Sequence, residues 1–285
     1  MKIIKSYYNL AKPGIIYGNL ITAIAGYFFG AKSNIDYSSL IAMSFGVSFV
    51  IASGCVFNNI LDIKIDKKMK RTLNRELVVQ KISVRSAYIY AYILGFLGFI
   101  VLEYFTNTIT VLSGLAGLFF YVVVYSYAKR MSVHGTLIGT ISGATPPVAG
   151  YFAATNSVDR ASLLLFLVLV FWQMPHFFAI AIRRITDYKN AKIPVLPAVK
   201  GIKETKLQIT VYILGFIFAT MAFSYFGYTG IVYTTVMLLA GFWWLYVCLY
   251  KKTKDVNDWS KKVFFASLIC LVIFDILIAF NNILP

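Results

Sequence analysis

The chain has 285 residues, of which 59% are hydrophobic, 17% are aromatic and only 13% are charged. This composition excludes an ordinary soluble domain, in which about a quarter of the residues carry a charge. The formal net charge of +16 suggests a polyanionic partner, but the basic residues lie between long apolar runs rather than on one surface. We therefore expect no nucleic-acid binding and predict an all-α, polytopic membrane protein.

Nine apolar runs are long enough to cross a bilayer, which takes about 20 residues per helix. In chain order they cover residues 13–31, 38–61, 86–104, 107–128, 135–154, 161–182, 208–226, 229–250 and 262–281. We expect these nine helices and their connections to form one integral-membrane domain over residues 1–285.

The basic residues predict the orientation of these helices. With a cytoplasmic N-terminus, 25 of the 27 Lys and Arg residues fall on the inner side, and only Lys32 and Arg160 fall on the outer side. Such an asymmetry follows the positive-inside rule, and the opposite topology would invert it. The two long connections, 62–85 and 183–207, would then be cytoplasmic. Both contain acidic residues, so we expect the active face there.

Three oxygen-bearing side chains follow one another at the end of the second apolar run. Asn58, Asp62 and Asp66 are four residues apart, and each step of four advances only about 40° beyond a full helical turn. Carboxylates at a helix C-terminus oppose the helix dipole, so they favour a compensating cation. Oxygen ligands of this kind suit a hard divalent cation such as Mg²⁺, although a solvated helix end is the alternative interpretation.

We call Asn58, Asp62 and Asp66 the ladder, and a basic segment follows it in the sequence. Arg71 and Arg75 are candidate diphosphate clamps, because the guanidinium fork matches phosphate oxygens. For Lys67, Lys68 and Lys81, membrane orientation alone is an equally good explanation.

A second constellation begins in the sixth apolar run. Trp172 and His176 lie on either side of a proline at position 175. Asp187 follows at the inner membrane boundary. Along a continuous helix, His176 would lie roughly 16 Å deeper in the membrane than Asp187. A lone histidine on an apolar face is usually structural, but ionisable groups inside a membrane tend to be functional, which favours a substrate contact. Pro194 and Pro197 predict a non-helical turn after Asp187.

A third patch lies at the inner end of the fourth apolar run. Tyr121, Tyr125, Lys129 and Arg130 recur along one segment. Aromatic belts and basic flanks are ordinary at membrane edges, so an interfacial role and a phosphate or carboxylate contact are equally consistent with this pattern.

The ordered set of these motifs resembles the UbiA superfamily of intramembrane prenyltransferases, and within it the bacterial branch that farnesylates protohaem. The residues that carry the resemblance are Lys12–Leu20, Ala52–Asn59, Asp62-x3-Asp66-x2-Met69-x-Arg71-Thr72-x2-Arg75, Lys129-Arg130, His134–Gly139, Gly143–Pro147, Trp172–His176, Asp187-Tyr188 and Ile193–Pro197. The resemblance runs nearly end to end, and the motifs named here lie between residues 12 and 197.

The resemblance implies nine helices around a central cavity that is open to lipid, in a bacterial inner membrane. It implies farnesyl diphosphate as the donor, haem B as the acceptor, Mg²⁺ as the cofactor and haem O for terminal oxidases as the product. A haem-modifying or oxidase-assembly protein is a possible partner. A prenyltransferase for a quinone precursor and a secondary transporter are the alternatives. Transporters place coupling charges near the midplane, whereas the acids here lie at the inner boundary.

The resemblance also assigns roles by position. Asn58, Asp62 and Asp66 match the first Mg²⁺–diphosphate motif, and Asp187 matches the start of the second. Many relatives have another Asp where this chain has Ala191, so Lys189, Asn190 or Lys192 are expected to contact phosphate instead. Further diphosphate contacts are expected from Arg71, Arg75, Lys129 and Arg130, and haem or substrate contacts from Tyr125, Trp172, His176 and Tyr188.

Overall fold

The computed structural model describes residues 2–250 and 255–281, and within these ranges it contains helices and turns but no strand. Lys251, Lys252 and Lys254, which contribute to the predicted basic asymmetry, lie outside the described residues. The helices in chain order are α1 (Lys2–Leu10), α2 (Pro13–Ala31), α3 (Tyr37–Leu61), α4 (Ile63–Asp66), α5 (Val84–Phe105), α6 (Thr108–Phe119), α7 (Ser126–Met131), α8 (Gly135–Thr155), α9 (Arg160–Arg183), α10 (Ile185–Asn190), α11 (Leu196–Val199), α12 (Gly201–Tyr225), α13 (Ile231–Leu249) and α14 (Val256–Ala279).

The all-α, polytopic prediction is confirmed, and a long helix is present at each of the nine predicted runs. In the fourth run, a π-helical turn over Phe120–Tyr125 joins α6 to α7. Eight of the nine are long and apolar enough to cross a membrane. The remaining run of the nine is α8, which is rich in Gly, Thr, Ser and Pro and is largely buried between its neighbours. Its composition serves close helix packing rather than contact with lipid.

Small residues allow α2 and α8 to approach closely. A Cβ atom at Gly26 would collide with the carbonyl oxygen of Pro147, and one at Gly150 would collide with that of Ala23. Small residues at helix interfaces permit such backbone contact in membrane proteins. The close packing of α8 against α2 fixes one wall of the interior.

The structure differs from the predicted boundaries in several places, and α14, for example, begins at Val256 rather than at residue 262. Residues 2–10 form α1, which the analysis of apolar runs did not predict because the helix is short and amphipathic. Helix α12 begins at Gly201 rather than at residue 208, so the connection after α9 is shorter and contains two short helices. The predicted non-helical turn is present at residues 191–195. We call the end of the helix bundle that carries residues 62–83 and 184–200 the connection end.

The largest apolar core lies among α9, α12, α13 and α14, where Phe216, Trp244 and Phe274 are almost fully buried. Asp275 in α14 is also buried, and its Oδ1 atom has no hydrogen-bond partner among the described residues. Asp275 therefore faces the interior of the bundle. The second large interior feature is a cavity bordered by α2, α3, α6, α8, α9 and α14.

Candidate functional site

A cavity of about 590 Å³ extends from the connection end into the helix bundle. Its inner walls are mostly apolar, and the charged residues cluster at the connection end, where Asn58, Asp62 and Asp66 lie. A volume of a few hundred cubic ångströms is typical of sites that bind small molecules. The cavity therefore combines a polar entrance with an apolar chamber.

The helical spacing of the ladder places all three oxygen-bearing side chains on the cavity wall. Helix α3 ends at Leu61, Asp62 occupies its C-cap, and α4 continues the chain to Asp66. All three residues are buried, and Asp66 is only 1% exposed. Burial of two carboxylates requires compensating charge, because an isolated buried ion is costly.

Cations from other segments provide that charge. The Nζ atom of Lys129 lies 2.5 Å from Oδ2 of Asp62, and Nη2 of Arg130 lies 3.2 Å from Oδ1 of the same carboxylate. Arg75 donates to Oδ2 of Asp66 at 2.6 Å. The other oxygen of Asp66, Oδ1, is buried and has no hydrogen-bond partner among the described residues. One lone-pair-bearing oxygen of the ladder is thus left for a ligand.

Lys12 is a member of this cluster to which the sequence analysis gave no role. Its Nζ atom donates to Oδ1 of Asn58 at 2.8 Å, and burial lowers the pKa of the amine to about 8. Lys12 has a left-handed backbone conformation with φ of 56° directly before Pro13, the first residue of α2. The signal in the sequence is the lysine immediately before a Pro-Gly helix start, at the same predicted depth as the ladder.

The charge balance of the cavity favours an anion. Its lining includes four cations, Lys12, Arg71, Arg75 and Lys129, but only two carboxylates, Asp62 and Asp66. Arg130 touches the cluster from outside the lining. An excess of Lys and Arg donors around a pocket is what recognition of phosphate groups requires.

The second predicted motif lies at the rim of the cluster. Asp187, in α10, is partly exposed and does not line the cavity; its Oδ1 atom accepts a hydrogen bond from the backbone N–H of Lys70 at 3.0 Å. This bond holds the second long connection against the first. Lys189 and Lys192 are exposed and do not line the cavity either.

Tyr188 and Ala191 have different surroundings from the lysines beside them. Tyr188 lines the cavity, and burial raises the pKa of its phenol although Arg71 opposes that shift. Ala191 is buried against Met69 and Ile193. The position where the resemblance implies a second Asp is therefore filled by a methyl group that packs the two connections together.

The predicted aromatic and histidine residues line the apolar part of the same cavity. Tyr125 stacks parallel to Tyr121 in the π-helical turn, with ring centroids 5.9 Å apart, and Lys129 lies 5.0 Å from the Tyr125 ring centroid. Trp172 and His176 stack on each other with ring centroids 4.8 Å apart. The structure thus brings the ladder, His176 and three residues of the third patch, Tyr121, Tyr125 and Lys129, to one cavity.

The oxygen ligands available here fit a metal ion that is bound partly by the protein and partly by a substrate, rather than one coordinated by protein side chains alone. Within residues 2–250 and 255–281, no three His, Cys, Asp or Glu residues converge as a metal site. Mg²⁺ is typically held by one or two carboxylates plus substrate phosphates. Asp62, Asp66 with its unpaired Oδ1 atom, and the amide of Asn58 meet that requirement.

An intramembrane prenyltransferase is the class of protein that this helical fold and charged cavity define. The model of the UbiA prenyltransferase family matches residues 19–269, and the chain belongs to that family. The prediction of one domain over all 285 residues stays a prediction.

Among similar proteins, a protoheme IX farnesyltransferase of Pectobacterium atrosepticum is 46% identical over 286 residues, covering 99% of this chain and 97% of that protein. One of Yersinia pseudotuberculosis is 47% identical and covers 94% of this chain and 92% of its own. The chain is therefore an enzyme of the prenyltransferase class, and its resemblance to the farnesylating branch is confirmed.

Solved structures share the fold. A structure of digeranylgeranylglyceryl phosphate synthase superposes with a TM-score of 0.81 at 20% identity, covering 99% of both chains. A UbiA homologue of Archaeoglobus fulgidus bound to GPP and Mg²⁺ gives a TM-score of 0.70 at 15% identity, covering 96% of this chain and 99% of its own. At these identities the likeness extends to the fold alone.

Proposed function

We propose that this enzyme transfers a farnesyl group from farnesyl diphosphate to a vinyl group of haem B and gives haem O. The observation that carries the proposal is the shape of the cavity: a cationic entrance with two buried carboxylates opens directly into an apolar chamber walled by aromatic rings. The identity of 46% to a protoheme IX farnesyltransferase supports haem as the acceptor.

The charged entrance holds the diphosphate. Asn58, Asp62 and Asp66 would bind Mg²⁺, with Asp187 added from the rim. When bound, Mg²⁺ neutralises the charge that develops on the departing pyrophosphate. The Oδ1 atom of Asp66, which lacks a partner among the described residues, is the clearest candidate for a metal ligand.

The cations that pair with the ladder are positioned to bind phosphate oxygens. Lys12, Arg75 and Lys129 each contact a member of the ladder, and Arg71 lines the same wall. When a ligand with its own cation enters, these donors exchange a carboxylate or amide partner for phosphate. Arg130 contributes from the edge, and Lys189 and Lys192 act on the approaching anion from the surface. Donors already oriented toward the leaving group usually lower the activation free energy more than any other single effect.

The reaction begins when the bond between C1 of the farnesyl group and the diphosphate oxygen breaks, and pyrophosphate leaves with the electron pair. The terminal vinyl carbon of haem attacks C1. Water then adds to the resulting cation beside the porphyrin and loses a proton, which gives the hydroxyethylfarnesyl group. The faces of Tyr121 and Tyr125 lie next to the cationic entrance and can stabilise the allylic cation.

The acceptor occupies the apolar chamber, where Trp172, His176, Tyr125 and Tyr188 are its expected contacts. The entrance faces the cytoplasm of a bacterial cell, because the connection end carries most of the basic residues. Contact with an oxidase-assembly protein stays a prediction.

The test is a prenyl-transfer assay with purified enzyme in lipid vesicles, haem B, farnesyl diphosphate and Mg²⁺. We expect mass detection of a farnesylated, hydrated haem, which is lost in Asp62→Ala. No product with haem, but turnover with a phenolic acid, would assign the enzyme to quinone precursors. Full activity of Asp62→Ala would contradict the proposed role of the ladder.

A further inference from the structure

A hydrogen-bonded triad in the cavity wall determines which nitrogen of His176 carries the proton. The Nδ1 atom of His176 lies 2.8 Å from Oγ of Ser267, a buried residue of α14. The same Oγ atom donates to the backbone carbonyl of Phe264 at 2.6 Å.

A hydroxyl group has one proton to donate, whereas a carbonyl oxygen can only accept. The proton of Ser267 therefore goes to Phe264, and Oγ can meet His176 only as an acceptor. Nδ1 must then carry a proton and donate it. In the neutral ring, Nε2 is left without a proton and with its lone pair in the ring plane.

The Nε2 atom remains accessible from the cavity. His176 belongs to the cavity lining, and Nε2 makes no hydrogen bond within the described parts of the chain. The buried side-chain nitrogen and oxygen atoms without a partner in these parts are Asn59 Oδ1, Asp66 Oδ1, Asp275 Oδ1 and Asn281 Oδ1. Nε2 is not among them, so it retains accessible surface.

Stacked rings hold the imidazole plane in place. Trp172 lies on one side with a centroid distance of 4.8 Å, and Phe264 lies 4.7 Å away with its plane tilted by 33°. The indole Nε1 of Trp172 donates to the backbone carbonyl of Ser267 at 2.7 Å, so ring and serine are fastened to the same turn of α14.

We infer that Ser267 is a positioning residue that keeps the proton of His176 on Nδ1, so that Nε2 binds the iron of the haem substrate. Histidines that bind metals almost always donate their other N–H to an oxygen acceptor, which is the arrangement found here. Axial binding would hold the porphyrin in the apolar chamber. This inference rests on haem as the proposed acceptor.

The test measures the optical spectrum and the affinity of bound ferric haem in the purified full-length enzyme. We expect a nitrogen-ligated spectrum in the parent enzyme. His176→Ala loses it and regains it when free imidazole is added. Ser267→Ala weakens haem affinity by about 10- to 100-fold, as loss of such partners does in metal sites.

Ser260→Ala is the matched control, because Ser260 is also buried in α14 and its Oγ donates three residues back, to the carbonyl of Asn257. Ser267→Ala keeps the backbone carbonyl that accepts from Trp172, so thermal unfolding of the two variants should agree. We expect the haem spectrum and affinity of Ser260→Ala to equal those of the parent.

An unchanged spectrum in His176→Ala, or equal haem affinity of Ser267→Ala and Ser260→Ala, would overturn the inference while the farnesyl-transfer assay still tests the proposed function. A parent enzyme that farnesylates haem but shows no nitrogen-ligated iron would overturn the inference alone. A parent enzyme that neither binds nor farnesylates haem would overturn the proposed function, and the inference with it.

Discussion

The two acidic motifs lie at the same end of the helix bundle, yet they have different surroundings. Asp62 and Asp66 of the first motif are buried, line the cavity and pair with Lys129, Arg130 and Arg75. Asp187 of the second motif is partly exposed and accepts a backbone hydrogen bond at the rim. We therefore expect the first motif to be the principal binding site, whereas Asp187 of the second motif holds one connection against the other through its hydrogen bond to Lys70.

The largest loss is expected from Asp66→Ala. The change removes the oxygen proposed for the metal and leaves the guanidinium of Arg75 without its partner at 2.6 Å. We expect kcat/KM for farnesyl diphosphate to fall by on the order of 10³-fold, the upper range for loss of one electrostatic group. The measurement is steady-state prenyl transfer over a range of Mg²⁺ concentrations.

The control for carboxylate removal is Asp258→Ala, because Asp258 forms an exposed ion pair with Lys262 far from the ladder in sequence. Its activity should equal that of the parent. Comparable activity of the Asp66 and Asp258 variants would remove the distinction between a binding motif and an ordinary surface acid.

A smaller loss is expected from Lys129→Gln. Its amine pairs with Asp62 at 2.5 Å and lies beside the Tyr125 ring, so the variant lacks one donor for the leaving group. We expect kcat to fall by about 10²-fold. The measurements are the single-turnover rate at saturating farnesyl diphosphate and KM from a substrate titration. An unchanged rate at saturation with a raised KM would restrict Lys129 to substrate binding.

Asp187 provides the direct test of the comparison. In Asp187→Asn the side chain can still accept from the N–H of Lys70, whereas Asp187→Ala cannot. We expect about a tenfold loss in the Asn variant, because only the charge at the rim is removed, and a further loss in the Ala variant, because the connections separate. Both variants are compared by activity and by proteolysis of the connection.

If Asp187→Asn is as inactive as Asp66→Ala, the two motifs contribute equally and the distinction drawn from burial is wrong. If Asp187→Asn retains full activity while Asp187→Ala does not, the second motif serves only to dock the connection.

The smallest effect is expected from Lys189→Ala and Lys192→Ala. Both side chains are exposed and outside the cavity lining, so they act on the diphosphate only through screened, longer-range attraction. We expect each variant to keep activity within about threefold at physiological salt, with a larger difference at low ionic strength. A loss of activity as large as that of Lys129→Gln, and independent of salt concentration, would show that the connection 184–200 closes over the substrate.

Several features were predictable because local rules govern them. The apolar runs located the nine long helices, and the spacing of Asn58, Asp62 and Asp66 placed them on one wall. The helical rise placed His176 deeper in the membrane than Asp187. Helix α1 was missed because a short amphipathic segment has no apolar run.

The sequence by itself determined the all-α membrane fold, since about 20 apolar residues in a row have few structures open to them other than a spanning helix. Only the tertiary structure decided which cation pairs with which acid. The partners of Asp62 come from a segment 67 residues away, and Lys12 reaches Asn58 across 46 residues. Helical periodicity fixes a side chain on its own helix, but helix packing determines what that side chain meets. That packing also separated buried Asp66 from partly exposed Asp187.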